Sequence, residues 1–202
     1  MADWDADSPR LRQNLTEVLR NARDRAARRE VPSLEDLRRW HRGTMAGLEV
    51  PDVGGVGCFR GEPGLESVRV WIGAHEGVPP GEVAEELRVF KETLRRAVTA
   101  LDALFPRGED VDADGLAAVV DLCAWAHAEW VRIHPFVNGN GRTARILANS
   151  LLMRYGVPPV IRLRPRPNSS YGRAAEAGMR GDWRPTAAAF RRMLSRPFTS
   201  SA

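Results

Sequence analysis

Residues 112–156 read "DADGLAAVVDLCAWAHAEWVRIHPFVNGNGRTARILANSLLMRYG", two apolar runs joined by a glycine-rich loop. The first run, residues 112–133, is apolar on most faces, and we expect it to form the central buried helix. The second run starts at the Gly-Asn-Gly turn and stops at Gly156, before Pro158 and Pro159, as helices commonly do. The pair predicts a mainly helical protein.

Helical periodicity continues on both sides of this pair. Residues 9–30 carry one apolar stripe, with Pro9 in the first turn, where proline is tolerated. Ser33 and Asp36 have the spacing of a capping box and predict a second helix that ends near Gly47. Three later segments also predict helices: residues 79–105, 170–181 and 185–194.

Residues 50–80 differ from the rest of the chain because glycine and proline are dense and β-forming residues cluster there. "VGCFR" (56–60) and "SVRVWIG" (67–73) have the composition of two short strands around the turn-rich "GEPGLE" (61–66). The fold class predicted from the sequence is therefore all-α with one β-hairpin.

Length and composition bound the class of protein. The 202 residues fit one domain, or one domain with a short extension, and 43% of them are hydrophobic. No run approaches the ~20 apolar residues that span a bilayer, and the polar N-terminus lacks the pattern of a signal peptide. We expect a cytoplasmic protein without a membrane partner, with export as an effector left open. Cys58 and Cys123 lack metal-ligand spacing and are predicted to be buried free thiols.

The formal net charge is +4, and Lys91 is the only lysine, so arginine supplies nearly all of the positive charge. Acidic residues are interleaved with the arginines almost everywhere, which is typical of an ordinary charged surface. No aromatic and basic surface motif accompanies the charge, so no nucleic-acid partner is predicted.

The loop "HPFVNGNGRTAR" (134–145) concentrates groups suited to phosphate chemistry. Gly139 and Gly141 permit a sharp turn and leave amides unshielded at a helix N-terminus, where anions bind. Arg142 and Arg145 follow on nearly the same helix face, and guanidinium groups grip phosphate oxygens in pairs of hydrogen bonds. The pattern predicts a polyphosphate site.

His134 stands at the other lip of this turn. An imidazole titrates near neutral pH and accepts a proton under cellular conditions. A base beside a held phosphate chain suggests phosphoryl or nucleotidyl transfer to a hydroxyl group. We interpret the other histidines, His41, His75 and His127, as structural residues, and Phe136 as a core anchor.

The same loop resembles the signature of the Fic family, H-P-F-x-[D/E]-G-N-G-R-x-x-R, which implies the Fic/Fido helical bundle with a β-hairpin flap. Residues 57–83 are similar to the family's flap and the Pro-Pro that follows it, and residues 148–163 and 170–194 resemble its C-terminal helices. Eight fixed positions match, far more than chance gives: His134, Pro135, Phe136, Gly139, Asn140, Gly141, Arg142 and Arg145.

The extent of this likeness predicts the organisation of the chain. Residues 1–32 would be an N-terminal helical extension, residues 33–195 the Fic domain, and residues 196–202 a flexible tail.

The resemblance implies a protein adenylyltransferase that moves AMP from ATP to a Ser, Thr or Tyr hydroxyl of a target protein. His134 would be the general base. Arg142 and Arg145 would hold the β- and γ-phosphates, which leave as pyrophosphate. The anion hole around the α- and β-phosphates would come from the turn: Gly139, Asn140 and Gly141.

The resemblance also assigns roles outside the loop. The hairpin would pair with the backbone of the target as an added strand; the alternative is a hairpin that only covers the core. Tyr171 is a candidate for the adenine pocket by its position. The flap residues expected to meet the target are Val68, Arg69, Val70, Trp71 and Ile72.

Asn138 departs from the family pattern, in which the metal ligand is Asp or Glu. An amide oxygen binds Mg²⁺ with less attraction than a carboxylate. Three interpretations stay open: Asn138 still holds the Mg²⁺ cofactor, another donor or phosphate orientation replaces it, or the protein is a weak or inactive relative.

A second departure is the lack of the inhibitory [S/T]-x-x-x-E-[G/N] motif of many relatives, so restraint would come from a separate antitoxin-like partner.

Two other functions are considered. A Doc-like kinase would bind the nucleotide in reverse, but its motif resembles A-N-[K]-R. A non-catalytic nucleotide-binding module would not need His134. The sequence leaves the target protein, the modified residue, the nucleotide donor and the oligomeric state open.

Overall fold

The computed structural model describes residues 8–163 and 169–195. Within these residues the regular secondary structure is helical except for one two-stranded antiparallel sheet, which confirms the predicted class. The predicted flexible tail lies outside the described residues. The helices are α1 (Pro9–Ala27), α2 (Leu34–Met45), α3 (Val83–Leu104), α4 (Ala113–Ile133), α5 (Asn140–Arg154), α6 (Ser169–Met179) and α7 (Arg184–Leu194), the strands are β1 (Trp71–Ile72) and β2 (His75–Glu76), and a short 3₁₀ turn spans Pro80–Glu82.

Helix α4 is the centre of the fold, as its apolar composition predicts. It packs against α3, α5, α6 and α7. Its side chains are buried around most of its circumference, including Trp130 and Ile133 in the last turn. Helix α5 is buried along almost its whole length. The loop between α4 and α5 therefore starts and ends on rigid elements, which fixes the groups it carries.

Helices α1 and α2 begin at the predicted caps. The Ser8 hydroxyl accepts from the Leu11 amide at 3.1 Å, and Ser33 and Asp36 form both hydrogen bonds of the capping box. The apolar face of α1 packs on α5 and α2 and belongs to the same core as α4. The boundary near residue 32 stays a prediction, but α1 is an integral part of this core.

The predicted pairing of residues 56–60 with residues 67–73 is wrong. The sheet pairs Trp71 with Glu76 and Ile72 with His75, across a turn at residues 73–74. The pairing extends by one hydrogen bond, from the Gly77 amide to the Val70 carbonyl at 3.0 Å. The hairpin is therefore shorter and lies later in the chain than predicted.

Residues 56–60 cannot form a regular strand, for two reasons. Gly57 and the following Gly61 adopt left-handed backbone angles, with φ of 78° and 88°. Phe59 and Arg60 are consecutive and both buried, whereas a strand on a core buries every second side chain. Of the five predicted flap residues, only Trp71 and Ile72 belong to a strand.

The structure also bears on the predicted cysteine thiols and on membrane-spanning helices. Cys58 and Cys123 are both free thiols; Cys123 is buried and Cys58 is half-buried. In the part of the chain that the structure describes, no helix combines the length and apolarity needed to cross a bilayer.

Candidate active site

His134 ends α4 in the left-handed conformation, with φ 53° and ψ 54°. A non-glycine residue in this region costs about 1–3 kcal/mol, so the surroundings must hold it there. The carbonyl of His134 accepts from Arg60 Nε at 2.8 Å, and the carbonyl of Pro135 accepts from the Arg60 amide at 2.7 Å. These bonds hold the backbone turn that points the chain from α4 towards α5.

The hydrogen bonding of His134 defines its tautomer. Its Nδ1 lies 3.1 Å from the Val131 carbonyl, which can only accept, so Nδ1 carries the proton. Nε2 is then left with its lone pair. Burial lowers the pKa of His134 to about 4; the bond to Val131 opposes this shift, and the charge of Arg60 adds to it. The imidazole is neutral at physiological pH and ready to accept a proton at Nε2.

Asn140 locks the loop from inside. Its Oδ1 accepts from the Phe136 amide at 2.9 Å, and its Nδ2 donates to the Phe136 carbonyl at 2.8 Å. The side chain of Asn140 is thus occupied within the loop, and its part in the predicted anion hole falls to its backbone amide. Phe136 is fully buried, which confirms its prediction as a core anchor, and it stacks on His41 with ring centroids 3.9 Å apart.

Gly139 starts α5 with φ of 69° and offers no side chain to cap it. The first amides of α5, from Asn140 and Gly141, are therefore free of a side-chain cap, which is the arrangement that favours anions at a helix N-terminus. A Cβ on Gly139 would lie 2.6 Å from Met45 Cε and 3.0 Å from His41 Nε2. Close approach of α2 is a second reason why this position is glycine.

Arg142 and Arg145 both lie on α5 and are almost fully buried. Arg145 Nη1 lies 3.3 Å from the Tyr171 hydroxyl, and Nη2 donates to the Leu163 carbonyl at 3.2 Å. A Cβ on Gly141 would lie 3.4 Å from Arg145 Nη1. The second arginine of the signature is thus beside the glycine turn, as a phosphate site requires.

Tyr171 is buried and reaches this arginine from α6. Its hydroxyl lies 2.6 Å from His127 Nε2. Burial, with the charge of Arg145, lowers the pKa of His127 to about 3, so the ring is neutral. Because Arg145 can only donate to the tyrosine oxygen, the hydroxyl hydrogen is left to donate to His127 Nε2. Tyr171 supports Arg145 in this structure, and its contact with adenine stays a prediction.

Asn138, the predicted metal ligand, is held by α2 through its backbone. His41 Nε2 donates to the Asn138 carbonyl at 3.1 Å, while His41 Nδ1 accepts from the Gly57 amide at 3.0 Å. Burial and the charge of Arg142 lower the pKa of His41 to about 4, so it is a neutral clamp. His41 is structural, as its sequence context predicts.

The residues present fit a metal ion only in part. Asn138 Oδ1 is buried and makes no geometrically complete hydrogen bond within the described residues, although the His41 imidazole interacts with this side chain. It can serve as one oxygen donor. The described residues contain no group of three His, Cys, Asp or Glu side chains that could hold an ion. Mg²⁺ commonly takes one or two protein ligands and completes its shell with phosphate oxygens and water. A single amide donor is compatible with that mode.

The hairpin lies directly against His134. A Cβ on Gly77, just after β2, would lie 2.8 Å from His134 Cβ. Trp71 on β1 is 58% exposed, and Arg69 beside it is paired with Glu76 at 2.9 Å. Each strand of this two-stranded sheet keeps one unpaired edge within the described part of the protein. The flap therefore lies against His134 and, within the described residues, keeps unpaired strand edges.

Three residues of the site have no motif in the sequence: His41, Arg60 and His127. The two histidines are buried hydrogen-bonding links, and only their place on apolar helix faces hinted at burial. Nothing in the sequence around Arg60 predicts a buried charge.

Comparison with known proteins agrees with this geometry. The model of the Fic/DOC family matches residues 32–152, more than half of the chain. Protein adenylyltransferase Fic from Drosophila grimshawi is 33% identical over 153 residues, which is 76% of this chain and 26% of that protein. Its counterpart from Drosophila virilis is 37% identical over 117 residues, 58% of this chain and 21% of that protein. The chain spans about a quarter or less of these curated relatives.

Two solved structures have the same fold. A Fic domain containing signaling protein from Bacteroides thetaiotaomicron has a TM-score of 0.64 at 21% identity, covering 92% of this chain and 68% of that chain. A Fic-1 structure from C. elegans has a TM-score of 0.63 at 25% identity, covering 90% of this chain and 47% of that chain. With the family match spanning the loop of residues 134–145, these findings confirm the resemblance, and the chain belongs to the Fic/DOC family.

Proposed function

We propose that the protein transfers AMP from ATP to a hydroxyl side chain of a target protein. The observation that carries this proposal is the lone pair of His134 Nε2, fixed by the Val131 hydrogen bond at the lip of a helix N-terminus built for anions. The curated relatives are named as protein adenylyltransferases, which supports the same reaction.

The reaction needs one proton transfer and one displacement at phosphorus. His134 Nε2 removes the proton from the target hydroxyl as its oxygen bonds to the α-phosphorus of ATP. The bond between the α-phosphorus and the bridging oxygen to the β-phosphorus breaks, and pyrophosphate leaves. The α5 amides and the guanidinium groups of Arg142 and Arg145 balance the charge on the phosphates, typically the largest catalytic contribution.

Mg²⁺ belongs to the same proposal. Bound, it would neutralise charge on the leaving phosphates. Asn138 would hold it through Oδ1, which is buried and makes no geometrically complete hydrogen bond within the described residues. His41 contributes by fixing the backbone of Asn138 and so the position of that oxygen.

The flap would orient the target protein, which is the second substrate. An extended target segment that pairs with the open edge of the hairpin would run beside His134, because Gly77 contacts that residue. Cytoplasmic location and restraint by an antitoxin-like partner remain part of this proposal as expectations from the sequence.

Label transfer tests the proposal. The purified protein, with Mg²⁺ and a cell lysate as the source of targets, is given ATP labelled on the α-phosphate or, separately, on the γ-phosphate. We expect protein-bound label from the α-phosphate, and none with His134→Ala. Label only from the γ-phosphate would make the protein a Doc-like kinase. No label from either, with ATP still bound, would favour a non-catalytic nucleotide-binding module.

A further inference from the structure

Arg60 is a buried charge that the reaction above does not use. Its side chain is 1% exposed, and no carboxylate pairs with it within the described ranges of the chain. Burial lowers the pKa of its guanidinium, and the charge of Glu76 opposes that shift. A buried cation is costly unless its donors are satisfied, so the partners of Arg60 explain why it stands there.

The side chain of Arg60 donates four hydrogen bonds, and all four go to backbone carbonyls. Nε donates to His134 at 2.8 Å, and Nη2 donates to Ile133 at 3.0 Å. Nη2 also donates to Val78 at 2.7 Å, and Nη1 donates to Val68 at 3.2 Å. Two acceptors belong to the turn that carries the general base, and two flank the hairpin on either side.

We propose that Arg60 is a positioning residue that fixes the flap to the His134 turn, so that a target held on the flap presents its hydroxyl to Nε2. The inference rests on the proposed AMP transfer. Only arginine has the planar set of donors that reaches carbonyls in several directions at once; lysine keeps the charge but offers a single ammonium group.

The charge of Arg60 has a second consequence for the base. It lies beside His134 and lowers the pKa of that imidazole, in addition to the larger effect of burial. Other charged groups around the site, within the described residues, are Glu76, which is paired with Arg69 on the hairpin, and Arg142 and Arg145 on α5. None of these groups is itself replaced when Arg60 alone is changed.

The test compares Arg60→Met and Arg60→Lys with a matched buried arginine, Arg154→Met. Arg154 is also almost fully buried, but it pairs with Asp102 at the far end of α5. For each folded variant we would measure kcat and the KM for ATP, using α-labelled ATP and the lysate protein that the wild type labels most strongly. The dependence of kcat/KM on pH would be measured for the same set.

We expect Arg60→Met to lower kcat by about 100-fold, the effect of a misplacement near 1 Å, with the KM for ATP little changed. The acid limb of its pH profile of kcat/KM should move to higher pH, because the positive charge beside His134 is lost. Arg60→Lys should have a kcat between those of Arg60→Met and the wild type, and its acid limb should stay at the wild-type pH. Arg154→Met should lower the melting temperature and leave kcat and the limb unchanged. Unchanged kcat in Arg60→Met, or equal losses in the Arg154 control, would overturn the proposal.

Hydrogen exchange of the nucleotide-free protein separates this inference from the proposed function. If Arg60 couples the two segments, both Arg60→Met and Arg60→Lys should exchange faster at residues 68–78 and 131–137, whether or not the protein transfers AMP. Wild-type exchange rates in both variants would refute the coupling. A wild type without label transfer would refute the proposed function alone.

Discussion

At the residue scale, the structure explains how the histidine directly after the central helix is held in place. The left-handed turn at His134 directs Nδ1 to the Val131 carbonyl and leaves Nε2 as the acceptor. Burial then keeps the ring neutral. The tautomer and orientation of the proposed base are therefore set by the backbone around it.

The pH dependence of kcat/KM tests this arrangement. Because the pKa of His134 is lowered to about 4, the neutral, active form persists as the pH falls, until it approaches that value. We expect activity to stay level from neutral pH down to about pH 5 and to fall below it. An acid limb centred near 6.5, the ordinary pKa of histidine, would show that the ring is solvated in the working enzyme.

Asn138 supports a second prediction at this scale. Asn138→Asp adds a charge to the buried side chain that we propose holds Mg²⁺, beside the neutral ring of His41. A carboxylate attracts Mg²⁺ more strongly than an amide, so we expect half-maximal activity at about tenfold less Mg²⁺. Asn138→Gln, which keeps the amide, is the control. An unchanged or higher Mg²⁺ requirement in the aspartate variant would argue that Asn138 is not the ligand.

At the scale of elements, α6 supports α5. Tyr171 links Arg145 to His127, and so connects the arginine proposed to bind phosphate to the central helix. Arg145 is then held in place before the nucleotide binds. Because this side chain is ordered in advance, less conformational entropy is lost when the nucleotide binds.

Tyr171→Phe removes that hydroxyl and leaves the ring in place. A net hydrogen bond is worth about 1 kcal/mol, so we expect the KM for ATP to rise about fivefold. Tyr155, the other tyrosine, bonds Asp102 at 3.2 Å away from the site. Tyr155→Phe should therefore lower stability without changing the KM for ATP. Equal KM values for wild type and Tyr171→Phe would contradict the support role of Tyr171.

Sequence patterns predicted the elements whose signals are local. The Ser33 capping box and the glycine turn of α5 depend on neighbours within a few residues, and both stand as predicted. The hairpin was misplaced because the segment of Phe59 and Arg60 is shaped by distant contacts with the His134 turn. His41 and His127 were recognised as structural, but their partners come from other elements and leave no pattern in the sequence.

At the scale of the whole molecule, one core joins the site to the rest of the chain. Leu11 and Leu15 of α1, Trp130 of α4 and Phe190 of α7 belong to the same buried cluster. The loop that carries the signature is therefore supported from both ends of the chain.

Acidification should destabilise the fold. His41 and His127 are buried with pKa values lowered to about 4 and about 3, whereas in the unfolded chain histidine titrates near 6.5. Between these values the unfolded state binds more protons, so stability falls with pH from about 6.5 downwards. We expect up to about 2 kcal/mol per histidine to be lost between pH 6.5 and 5, measured by urea unfolding. An unchanged urea midpoint at pH 5 would contradict the neutral burial of these rings.

The chemical identity of the group transferred tests the central claim most directly. A target labelled by the wild type, in the presence of ATP and Mg²⁺, would be isolated and its modified residue determined by mass spectrometry, with His134→Ala as the control. We predict an adenosine monophosphate group on a Ser, Thr or Tyr hydroxyl, absent with the variant. A bare phosphate on that residue, or the same adenylylated residue in the His134→Ala sample, would contradict AMP transfer through the Nε2 base.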